Sequence, residues 1–162
     1  MPTVLITLGS NIAKEQNLPQ AIELVRDQPS ITVIAVSPIY ETAPVGGSAA
    51  QPTFYNAAMQ IETTLTFAAL RALLRSIETA LGRVRTNDKF APRPIDLDIV
   101  FYGQESFTFA SKCIPDPDAI RFPHLILPLA DIAPEWCDAN SGFTLRQIAD
   151  DLVYTESEIR KL

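Results

Sequence analysis

The chain has 162 residues, 47% of them hydrophobic, and carries 13 Lys and Arg against 19 Asp and Glu, a net charge of −6. That apolar content excludes a disordered chain, the acidic balance argues against a nucleic-acid partner, and no apolar run approaches the roughly 20 residues of a bilayer span. One histidine and two isolated cysteines, Cys113 and Cys137, exclude a multi-His metal site, a CxxC zinc site and a disulfide framework.

Length predicts one domain over residues 1–162. The start, MPTVLITLGS, has no basic segment before its apolar residues, so a secretory signal is not expected. The expectation is a soluble, cytoplasmic monomer that meets neither membrane nor nucleic acid.

Residues 3–8 are β-branched and apolar and read as a buried strand, broken by Gly9-Ser10-Asn11. Leu18, Ala21, Ile22 and Val25 fall at helical spacing, with Pro19 placed near the first turn. Residues 31–37 read as a second strand running into Ile39-Tyr40-Glu41-Thr42, then a loop of small residues from Ala43 to Gln51. Phe54 to Glu62 reads as a third strand. Thr66 to Leu81 carries Phe67, Leu70, Leu73, Leu74, Ile77 and Leu81 as a helical stripe, closed by Gly82 at the position a helix-ending glycine occupies.

Residues 83–94 are a polar, basic loop. Ile95 to Tyr102 is a fourth strand, with a hairpin partner expected at Ser106–Phe109. Five prolines between Lys112 and Pro134 predict loop with short helical turns. Thr144 to Leu152 is helical, capped by Ser141 or Thr144, and residues 149–162 read as a helix end and a charged tail. The order β-α-β-β-α-β is that of a ferredoxin-like α+β fold, an antiparallel sheet with helices packed on it.

Asp96-Leu97-Asp98 is the sharpest chemical feature. Strand alternation sends both carboxylates to one face, where two close anions repel unless a cation lies between them. Oxygen ligands of this kind suit magnesium completed by substrate phosphates. Arg83, Arg85 and Arg93 nearby suit a polyphosphate held by forked donors. The same residues also fit a solvated strand face with surface ion pairs, and spacing alone leaves both readings open. Phe54 and Asn56 share a strand face, so an aromatic and an amide could together hold a flat heterocycle; core packing of Phe54 fits as well.

These pieces occur in an order that resembles the 6-hydroxymethyl-7,8-dihydropterin pyrophosphokinase family. The matching segments are LGSN (8–11), SPIYETAPVG (37–46), QPTFYNAA (51–58), IETALGRVRTNDKFAPRPIDLDIVFYG (77–103) and PLADIAPE (128–135). The resemblance implies transfer of pyrophosphate from ATP to 6-hydroxymethyl-7,8-dihydropterin, giving the pterin diphosphate and AMP in folate biosynthesis. It implies two magnesium ions on Asp96 and Asp98, catalytic roles for Arg83, Arg93, Asp96 and Asp98, and ATP contacts from Glu78, Arg85, Ile99 and Arg121. It places Thr42, Val45, Phe54, Asn56, Phe90 and His124 on the pterin, with 86–92 as a closing loop.

Between Cys113 and Leu129 the chain departs from the family pattern. Asp116 stands at a histidine position, Arg121 lies one residue from the usual arginine, and His124 or Phe122 takes the place of a stacking aromatic. An aspartate beside a triphosphate is expected to add repulsion, and a stacked His124 to titrate near pH 6.5. A variant acting on a related pterin alcohol, and a pterin- or nucleotide-binding relative without turnover, are the other two readings. Turnover on a panel of pterin alcohols, and magnesium-independent binding without turnover, tell them apart.

Overall fold

A computed structural model describes residues 1–43, 51–88 and 91–162. Its elements are β1 (Thr3–Ser10), α1 (Lys14–Arg26), β2 (Ile31–Val36), β3 (Tyr40–Thr42), β4 (Phe54–Thr63), α2 (Phe67–Ala80), β5 (Asp96–Tyr102), β6 (Phe107–Phe109), β7 (Lys112–Ile114), α3 (Pro123–Ile132), α4 (Leu145–Asp150) and β8 (Ile159–Lys161). The sheet runs β5-β1-β4-β3-β8, with β2 also paired to β4, and each pairing is antiparallel. This is the ferredoxin-like α+β order the sequence predicts, extended by a strand at one edge.

Both faces of the sheet are used. Val4, Ile6 and Leu8 of β1 join Leu18, Ala21 and Val25 of α1 and Leu70, Leu74 and Ile77 of α2 in one buried cluster. On the other face Leu5, Ala58, Val100 and Phe101 meet Ile126 and Leu129 of α3 and Leu145 of α4. Cross-strand partners share a face, so the register extends that second face outward as Asp98–Thr7–Ala58 and Asp96–Gly9–Asn56–Tyr40. The apolar end of this face lies under α3 and α4; its polar end forms the cavity described below.

Residues 159–161, expected as part of a charged tail, form strand β8 on β3, and four further sequence expectations change. Pro38 has no N–H to donate to a ladder, and residues 31–42 divide into β2 and β3, two separate strands along one edge of β4. Helix α1 begins four residues before Leu18, so Pro19 lies inside it rather than near its start. Residues 107–109 pair with β7 instead of β5, forming a separate two-stranded sheet. Its turn uses Ala110 (φ 47) and Ser111 (φ 69) where a glycine or asparagine would have signalled it.

The fourth change concerns 112–134, which contains the ten-residue helix α3. Pro123 sits in its first turn, where a missing N–H costs nothing, and Pro128 is tolerated inside it. Thr144 caps α4 in a reciprocal box with Gln147. Among the described residues no helix is long and apolar enough to cross a membrane.

Candidate active site

Three cavities meet at Asp98. The first, about 260 Å³, is lined by Thr42, Phe54, Asn56, Phe122 and His124 together with Gly9, Arg93, Asp96 and Asp98. The second, about 320 Å³, lies between Arg83, Arg85, Arg93 and the same two aspartates. A third, about 70 Å³, is bounded by Leu74, Arg75, Arg85, Leu97, Asp98, Ile99 and Lys112. The result is an apolar, amide-lined pocket and a small pocket beside Ile99, joined by a charged trench.

Helix α2 delivers the trench's organising acid. Its end is a Schellman closure: Gly82 donates to the Thr79 carbonyl at 3.0 Å and Arg83 to the Glu78 carbonyl at 3.0 Å, with Gly82 at φ 92. Glu78, 1% exposed, therefore faces inward while the next residues turn back over it. Its Oε2 accepts from the Leu97 amide at 2.8 Å and from Arg83 Nη1 at 3.1 Å, and its Oε1 from Arg85 Nη2 at 2.6 Å. Burial raises the pKa of Glu78 against these donors. Arg83 spans onward to Asp96 Oδ1 at 2.7 Å, and Arg93 reaches Asp96 Oδ2 at 3.4 Å. Burial opposes the charge on Arg83, but Asp96 and Glu78 outweigh it and its pKa rises.

Asp98 is the more open of the two strand aspartates, 47% exposed in its side chain, with Lys112 Nζ at 3.4 Å from Oδ1. Lost hydration within the enclosing protein, then the neighbouring Asp96, push its pKa up to about 6, while Lys112 pulls the other way. Two carboxylates on one strand face in mutual repulsion form a cradle that a divalent cation would relieve. Among the described residues no three His, Cys, Asp or Glu side chains gather to hold a metal. Magnesium commonly completes such a site with phosphate oxygens and water, so the donor set fits a metal brought with a polyphosphate.

Strand β4 presents Phe54 and Asn56 to the first cavity, as alternation predicts. Asn56 Nδ2 donates to Thr42 Oγ1 at 2.8 Å, and both residues are buried. Gly9 forms the floor between Asp96 and Asn56; a Cβ there would stand 3.3 Å from Asn56 Oδ1. Phe122 and His124 stand opposite at the start of α3, ring centroids 5.6 Å apart and tilted by 34°.

Burial lowers the pKa of His124 to about 4, against the pull of Asp118. The expected titration near 6.5 is thereby corrected: the imidazole is neutral at physiological pH. The chain's one histidine gives a single pair of imidazole proton resonances, whose midpoint should fall near pH 4; a midpoint near 6.5 would contradict the burial. The unfolded chain binds that proton near 6.5. Unfolding thus takes up a proton between pH 6.5 and 4, and stability falls as pH drops through that window.

The structure groups Glu78, Arg83, Arg85, Arg93, Asp96, Asp98 and Ile99 around the trench and Thr42, Phe54, Asn56 and His124 around the first cavity. Val45 and Phe90 lie outside the described residues. Arg121 does not line the three cavities; its guanidinium is exposed, 5.1 Å over the Phe122 ring and 3.7 Å from Asp118. Asp116 does not stand as a bare anion: Lys112 lies 3.1 Å away, and Asp116 Oδ1 caps the Asp118 amide at 2.9 Å.

Two residues escaped the sequence reading. Asn11 exchanges backbone and side-chain bonds with Arg93, its Oδ1 accepting the Arg93 amide at 2.7 Å and its own amide donating to the Arg93 carbonyl at 3.1 Å. Lys112 bridges Asp98 and Asp116 and has raised pKa because both acids favour its charge against burial. The break at Gly9-Ser10-Asn11 was visible as a turn, but its tie to Arg93 spans 82 residues and leaves no local pattern.

The chain is similar to known proteins along most of its length. The sequence profile described as 7,8-dihydro-6-hydroxymethylpterin-pyrophosphokinase matches residues 5–134. The 2-amino-4-hydroxy-6-hydroxymethyldihydropteridine pyrophosphokinase of Synechocystis sp. is 34% identical over 149 residues, covering 91% of this chain and 75% of the relative. The protein of the same name from Bacillus subtilis is 38% identical over 131 residues, covering 80% and 77%. The solved structure of wild-type Plasmodium falciparum HPPK-DHPS superposes with a TM-score of 0.74 at 15% identity. That match covers 92% of this chain but 40% of the other, and shows the shared fold.

Proposed function

As a member of the 7,8-dihydro-6-hydroxymethylpterin-pyrophosphokinase family, this chain transfers pyrophosphate from ATP to 6-hydroxymethyl-7,8-dihydropterin in folate biosynthesis, and we propose that it does so in the trench centred on Asp96 and Asp98. The observation that carries the placement is the meeting of three cavities of different character at that carboxylate pair.

In this reading the pterin ring enters the first cavity. Phe54 and His124 or Phe122 supply ring faces, and the Asn56 amide, aimed by Thr42, reads the ring edge. The triphosphate lies along Arg83, Arg85 and Arg93, with the nucleoside end beside Ile99. The hydroxymethyl oxygen forms a bond to the β-phosphorus, the bond from that phosphorus to the α,β-bridging oxygen breaks, and AMP leaves with the electron pair. The hydroxyl proton is released. Such a transfer asks for positioning and charge neutralisation rather than an enzyme nucleophile.

Asp96 and Asp98 would hold two magnesium ions, which bound there supply charge neutralisation and alignment of the phosphate oxygens. Among the described residues the trench lining has three arginines and three aspartates, Asp88, Asp96 and Asp98, with the Glu78 carboxylate behind Arg83 and Arg85. A triphosphate carrying about four negative charges needs close to two divalent cations for neutrality, so cations held at the carboxylate pair would offset the charge that these arginines, already engaged by acids, do not. Arg93, held through its backbone by Asn11, meets the charge that develops during transfer. The protein is read as a monomer in the cytoplasm, with pterin and ATP as its ligands.

Calorimetry with α,β-methylene-ATP, whose α–β linkage cannot be cleaved, tests the assignment. Binding should strengthen by at least about tenfold, or 1.4 kcal/mol, on adding magnesium, and Asp96→Ala with Asp98→Ala should abolish that gain. A magnesium gain that survives both substitutions would contradict the site.

A further inference from the structure

We propose that the last strand, β8, is a positioning element for substrate: by pairing with β3 it fixes Thr42, and through Thr42 it aims the Asn56 amide. The inference rests on the reading of the Thr42–Asn56 cavity as the pterin site.

Strand β3 has three residues and lies between β4 and β8. Without β8 its outer edge would face water, and a strand so short with one neighbour opens readily. The pairing is complete: Tyr40 lies opposite Lys161, Glu41 opposite Arg160 and Thr42 opposite Ile159. A backbone bond extends it at each end, from the Ala43 amide to the Glu158 carbonyl at 3.3 Å and from the Leu162 amide to the Ile39 carbonyl at 2.8 Å.

Side chains reinforce the ladder. Arg160 Nη2 lies 2.8 Å from Glu41 Oε1, while Glu41 Oε2 accepts from Thr53 Oγ1 at 3.1 Å, just ahead of β4. Ile159, 5% exposed, lies opposite the buried Thr42, which in turn lies opposite the half-buried Phe54, in one row across three strands. The strand does not line the first cavity but borders its neighbour. Glu158 and Ile159 line a cavity of about 210 Å³ with Thr42, Ala43, Phe122, Pro123 and His124, four of which also line the first cavity.

The consequence runs through one hydrogen bond. Thr42 Oγ1 receives the Asn56 Nδ2 proton, which leaves Asn56 Oδ1 on the Gly9 side. An amide presents a donor and an acceptor in fixed directions, so a shift of Thr42 alters which group meets the heterocycle edge. No residue of β8 lines the cavities bounded by Arg83, Arg85 and Ile99. Loss of β8 should therefore weaken the pterin selectively and leave the nucleotide alone.

The full chain, a deletion of residues 156–162, Ile159→Ala and Asn56→Ala are compared by calorimetry with 6-hydroxymethyl-7,8-dihydropterin and with magnesium α,β-methylene-ATP, alongside thermal unfolding. The deletion should raise the pterin Kd by about tenfold or more, with the nucleotide analogue within about twofold. Ile159→Ala, which keeps the strand's backbone, should shift the same ligand in the same direction by a smaller factor and carries the test if the deletion does not fold. In steady state the pterin KM should rise with kcat little changed. Equal weakening of both ligands, or unchanged pterin affinity in a folded variant, overturns the inference. If Asn56→Ala leaves pterin affinity intact, the pterin-site reading fails; if it weakens binding and loss of β8 does not, the role of β8 alone fails.

Discussion

Asp98→Ala should lower the rate of pterin-dependent AMP release by at least about 10³-fold, a loss of about 4 kcal/mol or more of transition-state stabilisation. Asp98 is the group on which all three cavities converge, and it is the more open of the two strand carboxylates. Its loss leaves Asp96, already engaged by Arg83 and Arg93, as the remaining member of the strand pair to hold cations against the phosphates. Pterin affinity should change little, because Phe54, Asn56 and Thr42 keep their contacts. Steady-state kinetics beside pterin binding would show it: a fall in kcat with pterin Kd preserved marks a group used in the transfer, whereas a parallel rise in Kd would mark a group used in binding.

Glu78→Ala should destabilise the fold by about 3–5 kcal/mol, because it removes one partner from a buried charge network and strands the others. Glu78 is 1% exposed, and its two oxygens accept from the Leu97 amide, Arg83 and Arg85. Without it the Leu97 amide loses its carboxylate partner, and Arg83, 12% exposed in its side chain, keeps Asp96 alone as its acid. For a domain of this length the change corresponds to a drop in Tm of very roughly 6–20 °C. Chemical denaturation with unchanged m-value would establish it. A Tm within about 2 °C of the parent would mean that the network contributes little to folding.

Periodicity makes much of this legible in the amino-acid sequence. The alternation in Ile95–Ile99 placed Asp96 and Asp98 on one face because a strand permits nothing else. The stripe from Phe67 to Ile77 and the glycine at 82 gave α2 its face and its end, and with them the approach of Arg83. Phe54 and Asn56 followed from the same period of two.

The rest lacked a local signature. Helix α3 hides behind prolines that a helix accepts in its first turn or tolerates within it. The β6–β7 turn forms on Ala110 and Ser111, residues with no turn preference of that kind. Strand β8 is three residues of mixed polarity, stabilised by a partner about 120 positions earlier, as the Arg160–Glu41 separation of 119 shows. The role of Lys112 depends on Asp98 and Asp116 arriving beside it from β5 and the turn after β7, a three-way contact that spacing alone does not indicate. Asp116, expected from the sequence to add repulsion, is one of the two acids in that contact.

The product of one reaction tests the carboxylate pair most directly. ATP, magnesium and 6-hydroxymethyl-7,8-dihydropterin are incubated with the protein and with Asp96→Ala, and the nucleotide released is identified. One AMP is expected for each pterin consumed, dependent on pterin and lost in the variant. ADP in place of AMP would mean attack at the γ-phosphorus, and AMP formed at the parent rate by Asp96→Ala would remove the carboxylate pair from the centre of the site.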